Sequence, residues 1–115
     1  MLTVEKLREY GAAVDEGLTR CMNNEGFYLR LVKMELQDRN FDLLEQALQA
    51  GDETAAFEAA HALKGALGNL SLTPIFDPTS ALTEELRART GADYQAYYEK
   101  IRTARETLSR LAEEA

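Results

Sequence analysis

The sequence predicts an all-α fold, an antiparallel four-helix bundle with one additional helix at the N-terminus. Three observations carry this expectation. Apolar residues recur at alternating steps of three and four along most of the chain. Helix formers (Ala, Leu, Glu, Arg, Gln) dominate, and no β-branched run interrupts them. Stop and start residues separate the periodic stretches at short intervals, and short connections make neighbouring helices antiparallel. With 115 residues, no linker-like tract and no internal repeat, the chain reads as a single domain over 1–115. A domain of this size buries roughly 60–70% of the surface its unfolded chain exposes.

The first segment puts Val4, Leu7, Gly11, Val14, Leu18 and Cys21 on one helical face. Gly11 and Gly17 weaken it, so the N-terminal helix is expected to be short and open to a break. Asn24 is the candidate N-cap of the next element. From about Glu25 to Ala50, Phe27, Leu31, Met34, Phe41, Leu44 and Leu48 form one stripe. The step from Met34 to Phe41 keeps phase across the polar residues Asp38, Arg39 and Asn40, so one unbroken helix is expected. Gly51 ends it, and Asp52 caps the third segment. That segment, from about Glu53 to Leu70, carries Ala56, Ala60, Leu63, Leu67 and Leu70. The fourth helix opens at Thr73-Pro74 or at Asp77-Pro78, each a cap followed by proline at the first helical position. It carries Ile75, Thr79, Leu82 and Leu86, and Gly91 closes the stretch. The last helix starts near Ala92-Asp93 and turns Tyr94, Tyr97, Ile101, Ala104, Leu108 and Leu111 inward, with Tyr98 at the margin.

Composition removes several function classes. Thirteen Lys+Arg against twenty Asp+Glu give a formal charge of −7. Such a chain lacks the basic stripe that nucleic acid requires, and anionic membrane surfaces repel it. No apolar run approaches the ~20 residues of a membrane span. The opening Met1-Leu2-Thr3-Val4-Glu5-Lys6 has no signal-peptide pattern. A cytoplasmic monomer without nucleic-acid or membrane partners is expected. The single Cys permits neither an internal disulfide nor a multi-thiolate zinc site, and the single His permits no two-His metal centre. Cys21 continues an apolar stripe and reads as an inert buried thiol. Glu84 and Glu85 are adjacent and point apart, a poor acid–base dyad.

The third segment carries the chemistry. On a helical wheel with His61 at zero, Gly65 falls at about 40°, Gly68 about −20°, Lys64 about −60° and Phe57 about −40°. Leu63, Leu67 and Leu70 occupy the opposite side. The only histidine therefore faces solvent beside a cation, two glycines and an aromatic. A glycine in a helix interior is destabilising by ~1 kcal/mol relative to alanine. Two of them beside an imidazole remove side chains that would keep a bulky partner away. Lys64, one turn on, places an ammonium where a phosphoryl group on His61 would carry its charge. Phe57 either meets that partner or folds against the N-terminal helix.

The run Ala60-His61-Ala62-Leu63-Lys64-Gly65-Ala66-Leu67-Gly68-Asn69-Leu70 resembles the histidine phosphotransfer (HPt) motif, His-x-x-Lys-Gly. The stretch Phe27 to Val32, the lead-in Leu44-x-x-Ala47-Leu48-x-x-Gly51-Asp52, and Ala81-Leu82-Thr83-Glu84-Glu85-Leu86 are also similar to that family, so the resemblance covers nearly the whole chain. It implies that His61 is a phosphoacceptor, that Lys64 stabilises the phosphoryl group, and that Gly65 and Gly68 give a receiver domain room. Phe57 joins them as a docking residue. The implied partners are the receiver of a hybrid sensor kinase and that of a response regulator. Mg²⁺ is expected on the receiver, with no metal or cofactor on this chain, and no kinase activity of its own is expected. The chain departs from the family at Phe76-Asp77-Pro78-Thr79, where a regular helix usually runs. Pro78 inside a helix begun at Pro74 loses a backbone hydrogen bond, whereas a start at Asp77 avoids the loss. Two rival readings remain: a helical adaptor without phosphotransfer activity, and an enzyme using His61 as general base. The second needs a pocket and a nucleophile that a convex helix face does not offer.

Overall fold

The computed structural model describes residues 1–114; Ala115, the last residue of the expected domain, lies outside them. Among the described residues the secondary structure is helical, with no strand. The helices are α1 (Val4–Tyr10), α2 (Val14–Arg20), α3 (Glu25–Glu35), α4 (Asn40–Ala50), α5 (Glu53–Asn69), α6 (Thr73–Ala88) and α7 (Tyr94–Glu113). None is long and apolar enough to cross a membrane.

The bundle is α4 to α7. Each helix packs against the next, and α7 returns to α4. The connections are short because their ends are capped locally. Gly51 adopts the left-handed conformation (φ 71°) that ends α4, and Asp52 Oδ1 accepts the Ala55 N–H at 3.0 Å to begin α5. Leu63, Leu67, Leu82, Ile101 and Leu108 are fully buried between the helices. α5 and α6 run antiparallel: Phe57 meets Arg87, Lys64 meets Glu84, and Gly68 meets Phe76.

The N-terminal segment is short and broken, as its glycines led one to expect. Gly11 takes φ 107°, a left-handed position that closes α1, and α2 starts three residues later. Gly17 is internal to α2 and faces the Tyr28 ring; a Cβ there would lie 2.6 Å from Tyr28 Cε1. α1 and α2 cover one end of the bundle. Lys6 Nζ donates to the carbonyls of Leu111 and Glu114 at the end of α7, and Tyr10 Oη donates to Ala104 O at 2.6 Å.

The expected long second helix is two helices. α3 stops at Glu35 and α4 begins at Asn40, with Asp38 Oδ1 accepting from the Asn40 backbone N–H at 2.8 Å and from its side-chain amide at 3.0 Å. An Asp that bonds the backbone two residues on offers the chain a local alternative to helix. The core stripe of α3 is also not the expected one. Tyr28, Val32 and Leu36 are buried, while Phe27 and Met34 are 42% and 62% exposed. The seven-residue step from Met34 to Phe41 therefore joins an exposed side chain to a buried one. Across the break, Arg105 of α7 lies over the Phe41 ring at 4.2 Å and donates from Nε and Nη2 to Leu36 O. Glu35 is caught at this joint with one carboxylate oxygen buried and, among the described residues, without a hydrogen-bond partner. Burial first, and the neighbouring Asp38 second, push its carboxyl up to about 8.

α6 begins at Thr73. Leu72, not Thr73, is the N-cap and no side chain caps the helix; Pro74 sits in its first turn, where no N–H is needed, and Pro78 lies inside the helix, so the start at Asp77 is not the one adopted. The buried Thr79 and Thr83 turn their hydroxyls onto the carbonyls of Ile75 and Thr79, each at 2.7 Å. In α7 the margin and the stripe exchange places: Tyr98 is buried and Tyr97 is half-buried.

Candidate functional site

α5 is held at both ends, which fixes the face between them. At its start, Glu53 accepts from Tyr94 Oη at 2.7 Å, and Arg89 Nη2 donates to Thr54 Oγ1 at 2.8 Å. At its end, Arg20 Nη1 donates to Gly68 O (3.0 Å), Asn69 O (3.2 Å) and Ser71 Oγ (2.7 Å), while buried Tyr28 Oη donates to Leu70 O. Burial of that phenol pushes it up to about 12, so it remains a donor at neutral pH. Ser71 adopts φ 56°, a left-handed conformation that turns the chain sharply into α6.

His61 stands exposed on the solvent face of α5, opposite buried Leu63 and Leu67. Its ring stacks on Phe57 with centroids 5.5 Å apart and planes 29° from parallel. Phe57 is half-buried, with the His61 ring and α6 as its neighbours. Arg87 of α6 covers it, 4.9 Å from the ring centroid. Lys64 is half-buried, its side chain 31% exposed, and its Nζ lies 3.7 Å from Glu84 Oε2. Arg87 Nε donates to the same oxygen at 3.4 Å. The face thus presents an accessible imidazole with two cations, an aromatic and a carboxylate around it.

The two glycines are not equivalent. A Cβ at Gly65 would meet nothing within 4 Å, which is open clearance beside His61. A Cβ at Gly68 would lie 3.1 Å from Phe76 Cε1. Gly68 therefore admits a neighbouring side chain as well as lying on the exposed arc, a packing role beyond the clearance expected of it. The early start of α6 is the reason, since it brings Phe76 onto α5. Glu84 and Arg87 were not among the expected site residues. Their i, i+3 spacing on α6 places them on one face, but only the α5–α6 register sets that face beside His61. Glu85, by contrast, turns away from Glu84 and accepts from Thr90 Oγ1.

A family model described as Hpt domain matches residues 28–114, from α3 to the end of α7. No curated protein and no solved structure matches the chain.

Proposed function

The chain belongs to the Hpt domain family, and on that premise we propose that it relays phosphoryl groups between receiver domains, with His61 as the carrier residue. Membership of the family supports a role in histidine phosphotransfer within two-component signalling. The observation that carries the finer reading is the setting of His61: the chain's only histidine, exposed on a rigidly held helix, with Lys64 one turn on and open space at Gly65.

The step is a displacement at phosphorus. The lone pair of neutral imidazole Nε2 attacks the phosphorus of a receiver's aspartyl phosphate. The N–P bond forms as the P–O bond to the aspartate breaks, and that bonding pair returns to the aspartate carboxylate. Nδ1 keeps its proton. Transfer to a second receiver is the same step reversed. Lys64 faces the charge of the transferred group, Gly65 and Gly68 leave room for the receiver, and Phe57 borders its footprint. Mg²⁺ belongs to the receiver, and this chain supplies no cofactor. It is a carrier and not an enzyme, working as a cytoplasmic monomer.

Incubation with a phosphorylated receiver tests the reading. Acid-labile, base-stable label on this chain is the expected result. A chain that binds the receiver and stays unlabelled is an adaptor instead.

A further inference from the structure

Glu84 lies against two cations at once, Lys64 Nζ at 3.7 Å and Arg87 Nε at 3.4 Å. Arg87 covers Phe57, and the other neighbour of Phe57 is the His61 ring. Lys64, Arg87 and Glu84 all keep part of their side chains in solvent, so burial locks neither pair. Ion pairs this exposed and this long are weak, and a stronger counter-charge redirects them. We propose that Glu84 is a latch: it holds Lys64 and Arg87 while His61 is free, and gives both up to the phosphoryl group once His61 carries one. The proposal rests on His61 being the phosphoacceptor.

The charges favour the exchange. A phosphoryl group brings a charge of about −2 on three oxygens, against −1 on Glu84. Lys64 is on the same arc of α5 as His61, and Arg87 is one aromatic ring away from it. Both side chains are partly exposed and border the face that carries His61. Each must first leave Glu84, so the carboxylate sets how readily they assist. The guanidinium of Arg87 thereby joins Lys64 as a group that meets the phosphoryl oxygens, and Glu84 acts through both as a positioning residue.

Glu84→Gln keeps the shape and removes the charge. It is expected to raise the rate of label transfer from a phosphorylated receiver about three- to tenfold. It is also expected to lengthen the lifetime of the labelled protein after the receiver is removed, a readout that docking does not influence. Glu84→Asp, which keeps the charge, stays near the parent. The latch acts through its cations, so adding Glu84→Gln to a Lys64→Ala/Arg87→Ala protein changes neither quantity. Thermal unfolding of Glu84→Gln and Glu84→Asp should match the parent, and that of the triple variant should match Lys64→Ala/Arg87→Ala. No gain in the single variant overturns the proposal, because Glu84 is then an ordinary surface carboxylate. An equal gain in the triple variant also overturns it, because Glu84 then repels the phosphoryl group directly. A parent protein that takes no label refutes the phosphoacceptor reading itself, an outcome distinct from either.

Discussion

Gly65→Ala is expected to raise the stability of this protein, although it alters the face on which the proposed chemistry depends. Gly65 lies in the interior of α5, and a Cβ at that position meets nothing within 4 Å. No steric penalty therefore opposes the ordinary helix preference of alanine over glycine, about 0.5–1 kcal/mol. In a domain of this size that corresponds to a rise of roughly 2–4 °C in Tm. Gly68→Ala should gain less, because its Cβ would press on Phe76 at 3.1 Å and the ring would have to give way. Gly65→Leu should hold the Tm at or above the parent value while filling the space beside the imidazole. Its labelling by a phosphorylated receiver should drop by about tenfold or more, since small misplacements at a reacting centre have large effects on rate. Thermal unfolding by circular dichroism and label transfer, run on the same three variants, give both quantities. A lower Tm for Gly65→Ala, or parent-rate labelling of Gly65→Leu, refutes the clearance reasoning.

Glu35 should make stability fall as pH rises. Its folded carboxyl keeps its proton up to about 8 against an ordinary value of 4.5, so across that window the unfolded chain ionises first. Glu35→Gln should flatten the profile. Solvent screens the exposed part of the side chain, so the gain at pH 8 is about 1–2 kcal/mol, read by urea denaturation at pH 5 and pH 8. Gly17→Ala should destabilise by about 1–3 kcal/mol, since its Cβ would lie 2.6 Å from the ring of Tyr28, whose hydroxyl holds Leu70 O; a neutral effect in thermal melts would mean that the α2–α3 contact yields freely. Lys64→Ala should slow label acceptance about five- to tenfold without abolishing it, because one cation in high-dielectric surroundings contributes on the order of 1 kcal/mol. Identical kinetics would make Lys64 an ordinary surface residue.

α5 was legible because its signals are local. Asp52 and Gly51 mark its start, Ala56 to Leu70 its buried stripe, and the wheel alone puts His61 opposite the core. The joint between α3 and α4 was not legible, because a seven-residue apolar step fits one helix or two. Asp38 decided between them by bonding to Asn40. The inward face of α3 was misjudged by about one residue of rotation, roughly 100°. Tyr28 takes the inward place: its hydroxyl is satisfied by Leu70 O and its ring fills the space that Gly17 leaves. Glu84, Arg87 and the second role of Gly68 depend on how α6 registers against α5. That register follows from a helix start at Thr73, and two proline-containing caps made the start ambiguous in the sequence.

The central claim is that His61 carries the phosphoryl group, and its most direct measurement is label transfer from a phosphorylated receiver to the parent and to His61→Gln in parallel. His61 is exposed, with its ring stacked on Phe57, so the variant should melt within about 0.5 kcal/mol of the parent. The account predicts acid-labile label on the parent and none on His61→Gln. Label on the folded His61→Gln protein would contradict it, because the chain has no other histidine to carry the group.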